Sequence, residues 1–180
     1  IALKLFKEQI QYNSVYKEFC SYLNIREQEV QTLKEIPFLP IEFFKTHQVK
    51  TKEFTPEMTF LSSGTTGQQQ SRHYVKDLRV YEDSFIHTFE EAYGSIEDYV
   101  ILGLLPSYLE REGSSLVYMV DHFIKRSTFK ESGFYLDEIE QLSETLQKID
   151  DAGHKVLLIG VSFALLDLVE NKKFQLKHSI

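Results

Sequence analysis

Two short apolar runs, YVILGLL at 99–105 and KVLLI at 155–159, constrain this chain more than any other feature. Both are of strand length and lack the alternation that would turn one face to water. Runs of this kind are buried on both faces of a sheet. Around them the apolar spacing changes to that of helices. Leu78, Tyr81, Phe85, Phe89 and Ala92 share one face, with Asp77 as expected N-cap and Gly94 as stop. Ser114 or Ser115 caps a helix bearing Leu116, Met119, Val120, Phe123 and Ile124. Asp137 and Glu140 resemble a capping box for a third helix through Ile139, Leu142, Leu146 and Ile149, which Gly153 ends. A fourth runs from Ser162 to Glu170. Strands alternating with helices predict an α/β fold, a mostly parallel sheet with helices on both faces.

The N-terminal part reads differently. Leu3, Phe6, Ile10, Phe19 and Leu23 keep a roughly helical spacing, with a break expected at Asn13 and Ser14. IPFLPIEFF follows, in which Pro37 and Pro40 favour an extended segment. Met58–Leu61 reads as a short strand, and 73–75 as a returning one. With no repeat and no linker, the chain is expected to be one domain or part of one. It opens without Met and closes just after a helix, so 1–180 is expected to be an incomplete piece of something longer.

Lys and Arg number 20 against 27 Asp and Glu, and no basic cluster offsets the net charge of -7, which argues against nucleic acid as a partner. No apolar run approaches the roughly 18 residues of a membrane span, and no signal peptide is visible, so a cytoplasmic setting is expected. Cys20 is the only cysteine, and its neighbours Phe19, Tyr22 and Leu23 suggest a buried small side chain. The histidines show neither HxH nor HExxH spacing, so no metal site is expected. His122 reads as a helix-face residue, and Glu110, Arg111 and Glu112 as a solvated cluster.

LSSGTTGQQQSRHY, at 61–74, sets glycine and hydroxyl residues between the two short strands. Glycine allows backbone N–H groups to converge on phosphate oxygens, and Ser62, Ser63, Thr65 and Thr66 add hydroxyl donors. Arg72 offers a fixed positive charge. The pattern is neither GxxxxGK nor GxGxxG. On composition alone, a phosphate loop and a solvated turn both remain open.

SSGTTG, at 62–67, resembles the phosphate loop of the adenylate-forming, acyl-activating enzymes. IPF at 36–38, with Tyr74 and Asp77 after the loop, resembles the phenylacetate-CoA ligase branch. IPFLPIEFFK, PSYLEREGSSLVYM at 106–119 and IGVSF at 159–163 resemble the acyl-protein synthetases of bacterial bioluminescence. The similarity covers about 36–170 and implies part of the large N-terminal domain of that superfamily. It also implies an activity: a carboxylic acid, here a fatty acid, is joined to ATP with Mg²⁺, pyrophosphate leaves, and the acyl-adenylate passes its acyl group to a thiol. The acceptor would be a protein cysteine or coenzyme A. By that match, Ser62, Ser63, Gly64, Thr65, Thr66 and Gly67 hold the outer phosphates. The sequence departs from the family where Gln68, Gln69 and Gln70 replace the usual Pro and Lys, and Arg72 is a candidate for the missing charge. The ribose-binding acid, the catalytic lysine and a late acceptor cysteine have no counterpart in this chain.

Two further places follow strand ends. Gly160, Val161 and Ser162 border the acyl or nucleotide pocket in the matching segment of the family. The same stretch nearly spells GxSxG, so an alternative is a serine acyltransferase or thioesterase using Ser162, with a base such as His178. A helix N-cap explains Ser162 more simply. Pro106, Ser107 and Tyr108 lie where open α/β sheets tend to bind ligands, although a structural turn fits them equally. A third reading is a nucleotide- or acyl-binding domain without turnover.

Overall fold

The structure, a computed structural model, describes residues 1–63, 69–105, 113–136 and 138–180. It divides into two compact units, Ile1–Leu78 and Arg79–Ile180.

In the first unit, α1 (Ala2–Tyr12) and α2 (Ser14–Tyr22) meet at Asn13, whose backbone turns extended. Its buried side-chain oxygen accepts the N–H of Tyr16 at 3.1 Å, so the expected break is a helix cap. Phe6, Ile10, Tyr16, Cys20 and Val30 form the core beneath, with Phe6 and Tyr16 edge-to-face at 6.2 Å. Cys20 is fully buried as expected, and burial pushes its thiol pKa up, away from the thiolate. The segment after Ile36 is extended only as far as Pro40. There the expectation of an extended IPFLPIEFF fails: α3 (Phe43–Thr46) follows, with the Phe43 N–H donating to the Pro40 carbonyl. Proline lacks only a donor that a first helical turn leaves unused, so it can precede a helix as readily as block one. β1 (Met58–Leu61) then pairs antiparallel with β2 (Arg72–Val75), Met58 opposite Val75 and Leu61 opposite Arg72.

α4 (Leu78–Tyr93) starts with a contact no local pattern shows. The Glu57 carboxylate, distant in sequence, accepts the Leu78 N–H at 2.8 Å. The second unit continues with β3 (Tyr99–Leu104), α5 (Ser115–Arg126), β4 (Gly133–Phe134), α6 (Ile139–Asp151), β5 (Lys155–Gly160) and α7 (Ser162–Asn171). Its strands lie in the order β4-β3-β5, all parallel, with Leu102 opposite Gly133 and Tyr99 opposite Lys155. Alternate residues of β3 point to opposite faces. Val100, Leu102 and Leu104 join Leu142 and Leu146 of α6 with Ala164 and Leu168 of α7. Ile101 joins Phe85 and Phe89 of α4 with Val120 and Phe123 of α5. Helices therefore cover both faces of this sheet, as a doubly buried strand requires. The architecture is α/β, and its parallel pairing is confined to one small three-stranded sheet beside a separate antiparallel pair.

The helix ends refine the sequence reading. Ser114 caps α5, accepting the Val117 N–H at 3.3 Å. α6 has Glu138 at its N-cap with no side-chain hydrogen bond, and Asp137 lies outside the described residues. α7 has Val161 at its N-cap, so Ser162 is the first helical residue and not the cap. Gly94 and Gly153 stop their helices at φ +88° and +80°, the left-handed backbone that favours glycine.

Asp150, buried near the end of α6, ties down the last residues. Its carboxylate accepts the N–H groups of Lys177 and His178 and the Ser179 hydroxyl, each at 2.8 Å. Residues 178–180 thereby run alongside β5, with the Val156 N–H donating to the His178 carbonyl and the Ile180 N–H to the Val156 carbonyl. Burial alone would raise the Asp150 pKa. The three hydrogen bonds and the nearby His178 outweigh it and hold the carboxyl below the usual range. With a depressed folded-state pKa, the carboxylate's stabilisation is complete above the ordinary Asp range of about 4, and it is lost as pH falls through the folded value. Asp150→Asn is therefore expected to lower Tm at neutral pH, by a margin that shrinks as thermal melts are repeated below about pH 4. An unchanging margin down to the acid limit would refute this role.

Candidate functional site

The antiparallel pair closes on a neck made by Ser62. Its N–H donates to the Ser71 carbonyl at 3.1 Å, and its hydroxyl oxygen accepts the Ser71 N–H at 3.0 Å. Its carbonyl accepts the Gln70 side-chain amide at 2.9 Å. Ser62 is thus a clasp for the two strands: its amide is committed to the neck, and its hydroxyl hydrogen has no acceptor among the described residues. Ser63 is exposed immediately beyond. Arg72, also exposed, lies on the last rung opposite Leu61, at the same end of the hairpin. Gly64, Thr65, Thr66 and Gly67 lie outside the described residues. The neck explains the Gln70 and Ser71 that follow the motif, which the sequence reading left without a role.

In the second unit, α5 follows β3 and packs on one face of the sheet, whereas α7 follows β5 and packs on the other. Open α/β sheets tend to bind ligands where successive parallel strands are followed by helices on opposite faces, and the carboxyl ends of β3 and β5 are such a place. Gly160 and Val161 stand at the β5 end. The Val161 N–H donates to the Leu104 carbonyl at 3.3 Å, and a Cβ on Gly160 would stand 3.1 Å from that oxygen. Ser162 is exposed just beyond. Pro106, Ser107, Tyr108 and the 110–112 cluster lie outside the described residues.

The pairing of Ser162 with His178 is not formed. His178 hydrogen-bonds at Val156 near the amino end of β5, and Ser162 lies past its carboxyl end. At about 3.3 Å per residue, the strand separates them by roughly 20 Å. His122 does lie on a helix face, edge-to-face with Phe85 at 5.3 Å and 3.9 Å from the Glu82 carboxylate that also accepts the Tyr118 hydroxyl. Among the described residues, no group of three or more His, Cys, Asp or Glu is placed to hold a metal ion. No described helix is long and apolar enough to cross a membrane.

Sequence reading missed a cavity of about 780 Å³ in the first unit. Its lining is gathered from α1, the extended segment and β2, so no single stretch spells it.

The fold is α/β, with a clasped antiparallel pair in one unit and the carboxyl ends of parallel strands in the other. No protein-family model, no curated protein and no solved structure matches the chain.

Proposed function

We propose that this chain is part of an ATP-dependent acyl-activating enzyme, of the type that charges a fatty acid as its adenylate and transfers it to a thiol. A carboxylate oxygen attacks the α-phosphorus of ATP, and the bond to the β-phosphate oxygen breaks. Pyrophosphate leaves, and the thiol sulfur then displaces AMP from the acyl carbon. Carboxylates are poor electrophiles until one oxygen becomes part of a good leaving group, and donors around the outer phosphates stabilise the charge that develops there.

One observation carries this reading: SSGTTG lies in the sequence between two paired strands whose neck is clasped at Ser62, with Arg72 on the last rung of the pair. A clasped neck costs a bound anion less ordering than an open loop would. Ser63, Gly64, Thr65, Thr66 and Gly67 would supply amides and hydroxyls to the outer phosphates, Ser62 its hydroxyl, and Arg72 the charge absent from Gln68–Gln70. Mg²⁺ would arrive with the nucleotide, held mainly by phosphate oxygens. Gly160, Val161 and Ser162, with Pro106 and Tyr108, would border the acyl and nucleotide groups. The setting for such chemistry is cytoplasmic.

The test is carboxylate-dependent exchange of labelled pyrophosphate into ATP by the full-length protein. Thr66→Ala, which removes one hydroxyl donor to a charged group, is expected to weaken ATP binding by roughly tenfold or more. Gly64→Val is expected to weaken it as well. Unchanged affinity in both variants would remove the loop from the site. ATP binding without exchange would favour a domain that holds nucleotide but does not turn it over. Labelling of Ser162 by a fluorophosphonate would revive the serine-hydrolase alternative.

A further inference from the structure

The cavity of the first unit has the size of a small-molecule site, about 780 Å³ where such sites span roughly 300–1,000 Å³. Its wall is largely apolar, with Phe6, Leu39, Phe44 and Phe54 among its residues. Leu5, Leu33 and Phe38 also line it, yet they are 51%, 62% and 82% exposed. Large apolar side chains left in water around a concavity stand to gain about 25 cal/mol for each Å² an occupant covers.

The polar groups in the wall fall into two sets. Gln9, Asn13, Thr51 and Tyr16 are engaged with the protein itself: Asn13 and Thr51 both donate to the Gln9 side-chain oxygen, and Tyr16 donates to the Pro37 carbonyl. The rest are Lys50, whose ammonium also donates to the Phe54 carbonyl at 3.5 Å, His73, which stacks on Phe44, and Tyr74 and Lys76; among the described residues the lining includes neither Asp nor Glu. In a chain of net charge -7, a wall with two ammonium groups and no carboxylate among its described residues favours an anion. The Lys50 side chain is only 13% exposed, and its partner Glu53, 3.1 Å away, is 91% exposed. A pair with one partner in open water is weak, so Glu53 competes poorly with an acid inside the cavity.

We propose that this cavity binds a single-tailed amphiphilic anion, its hydrocarbon chain against Phe6, Leu39, Phe44 and Phe54 and its acidic head drawn to Lys50 and Lys76. Of the loop motif, the described residues Ser62 and Ser63 do not line it. It does not rest on the adenylation reading. The cations in its wall favour a small acid over an apolar protein segment.

Calorimetric titration of the 180-residue chain with dodecanoate, without nucleotide, tests this directly. Dodecyl phosphate, dodecanol and dodecyltrimethylammonium serve as comparison probes, all below micellar concentration. Saturable binding of dodecanoate or dodecyl phosphate is expected, about tenfold or more tighter than the alcohol or the cation. Whichever acidic head binds better identifies the preferred head group. Lys50→Met is expected to weaken binding about tenfold, and Lys76→Met, at an exposed position, to weaken it measurably. Val49→Trp, which fills the cavity from its wall, should abolish binding while circular dichroism stays unchanged. Equal affinity for all probes, dodecanoate binding indifferent to both lysine variants, or capture of an apolar peptide with no binding of either anion would each overturn the proposal. Because the titration contains no ATP, its failure and a failure of pyrophosphate exchange are separate results.

Discussion

Leu102→Ala is expected to destabilise the second unit by about 2–5 kcal/mol, the range for emptying a fully enclosed leucine site. Leu102 has no exposed surface, sits on the central strand, and pairs with Gly133 on one side and Leu158 on the other. Its side chain faces the cluster containing Leu142, Leu146 and Ala164, where backbone on both flanks prevents collapse into the space left behind. Urea denaturation followed by far-UV circular dichroism reads the effect. Leu166→Ala provides the contrast: that side chain is 58% exposed on α7, and its loss should stay within about 0.5 kcal/mol. Equal costs for the two substitutions would show that the parallel sheet is not the core of this unit.

The second large effect is expected at Gly160. A Cβ there would stand 2.8 Å from the Leu165 Cδ2 and 3.1 Å from the Leu104 carbonyl oxygen. Leu165 can rotate aside. Leu104 cannot, because its carbonyl belongs to the paired strand and accepts the Val161 N–H. Gly160→Val is therefore expected to cost about 1–3 kcal/mol through overpacking, and Gly160→Ala less. Gly133→Ala is the control, since nothing lies within 4 Å of a Cβ there and its φ is unremarkable. It should leave stability unchanged or slightly improved. If Gly160→Val melts like the parent, the contact between β3 and the turn into α7 is looser than described.

Much of the second unit was legible in advance because its signals are local. YVILGLL and KVLLI are strands of one parallel sheet, and the helical stripes through Phe85, Val120, Leu146 and Leu168 are the faces that cover it. Periodicity reports which side of an element is buried, and burial on both faces of a strand leaves a run with no alternation. Caps were less legible. Ser114 acts as expected, but Ser162 falls one residue inside its helix, and Glu57 reaches α4 from far upstream. Whether a hydroxyl or carboxylate caps depends on backbone angles and distant neighbours that residue type does not encode.

The candidate sites divide along the same line. The chemistry of SSGTTG, Arg72 and the Gly160–Ser162 turn is written in consecutive residues, so sequence alone nominated them. That Ser62 spends its amide on the neck, and that Ser162 and His178 lie at opposite ends of β5, could be learned only in three dimensions. Nor could any window of sequence reveal the cavity, whose lining runs from Ala2 to Lys76.

By itself, the sequence determined the alternation of strand and helix, the buried faces and the small-residue loop, because local spacing fixes which groups must leave water. Tertiary structure decided the division into two units, the strand order, the clasp at Ser62 and the cation-bearing cavity. Those depend on contacts between residues far apart along the chain, whose cost and gain no local pattern carries.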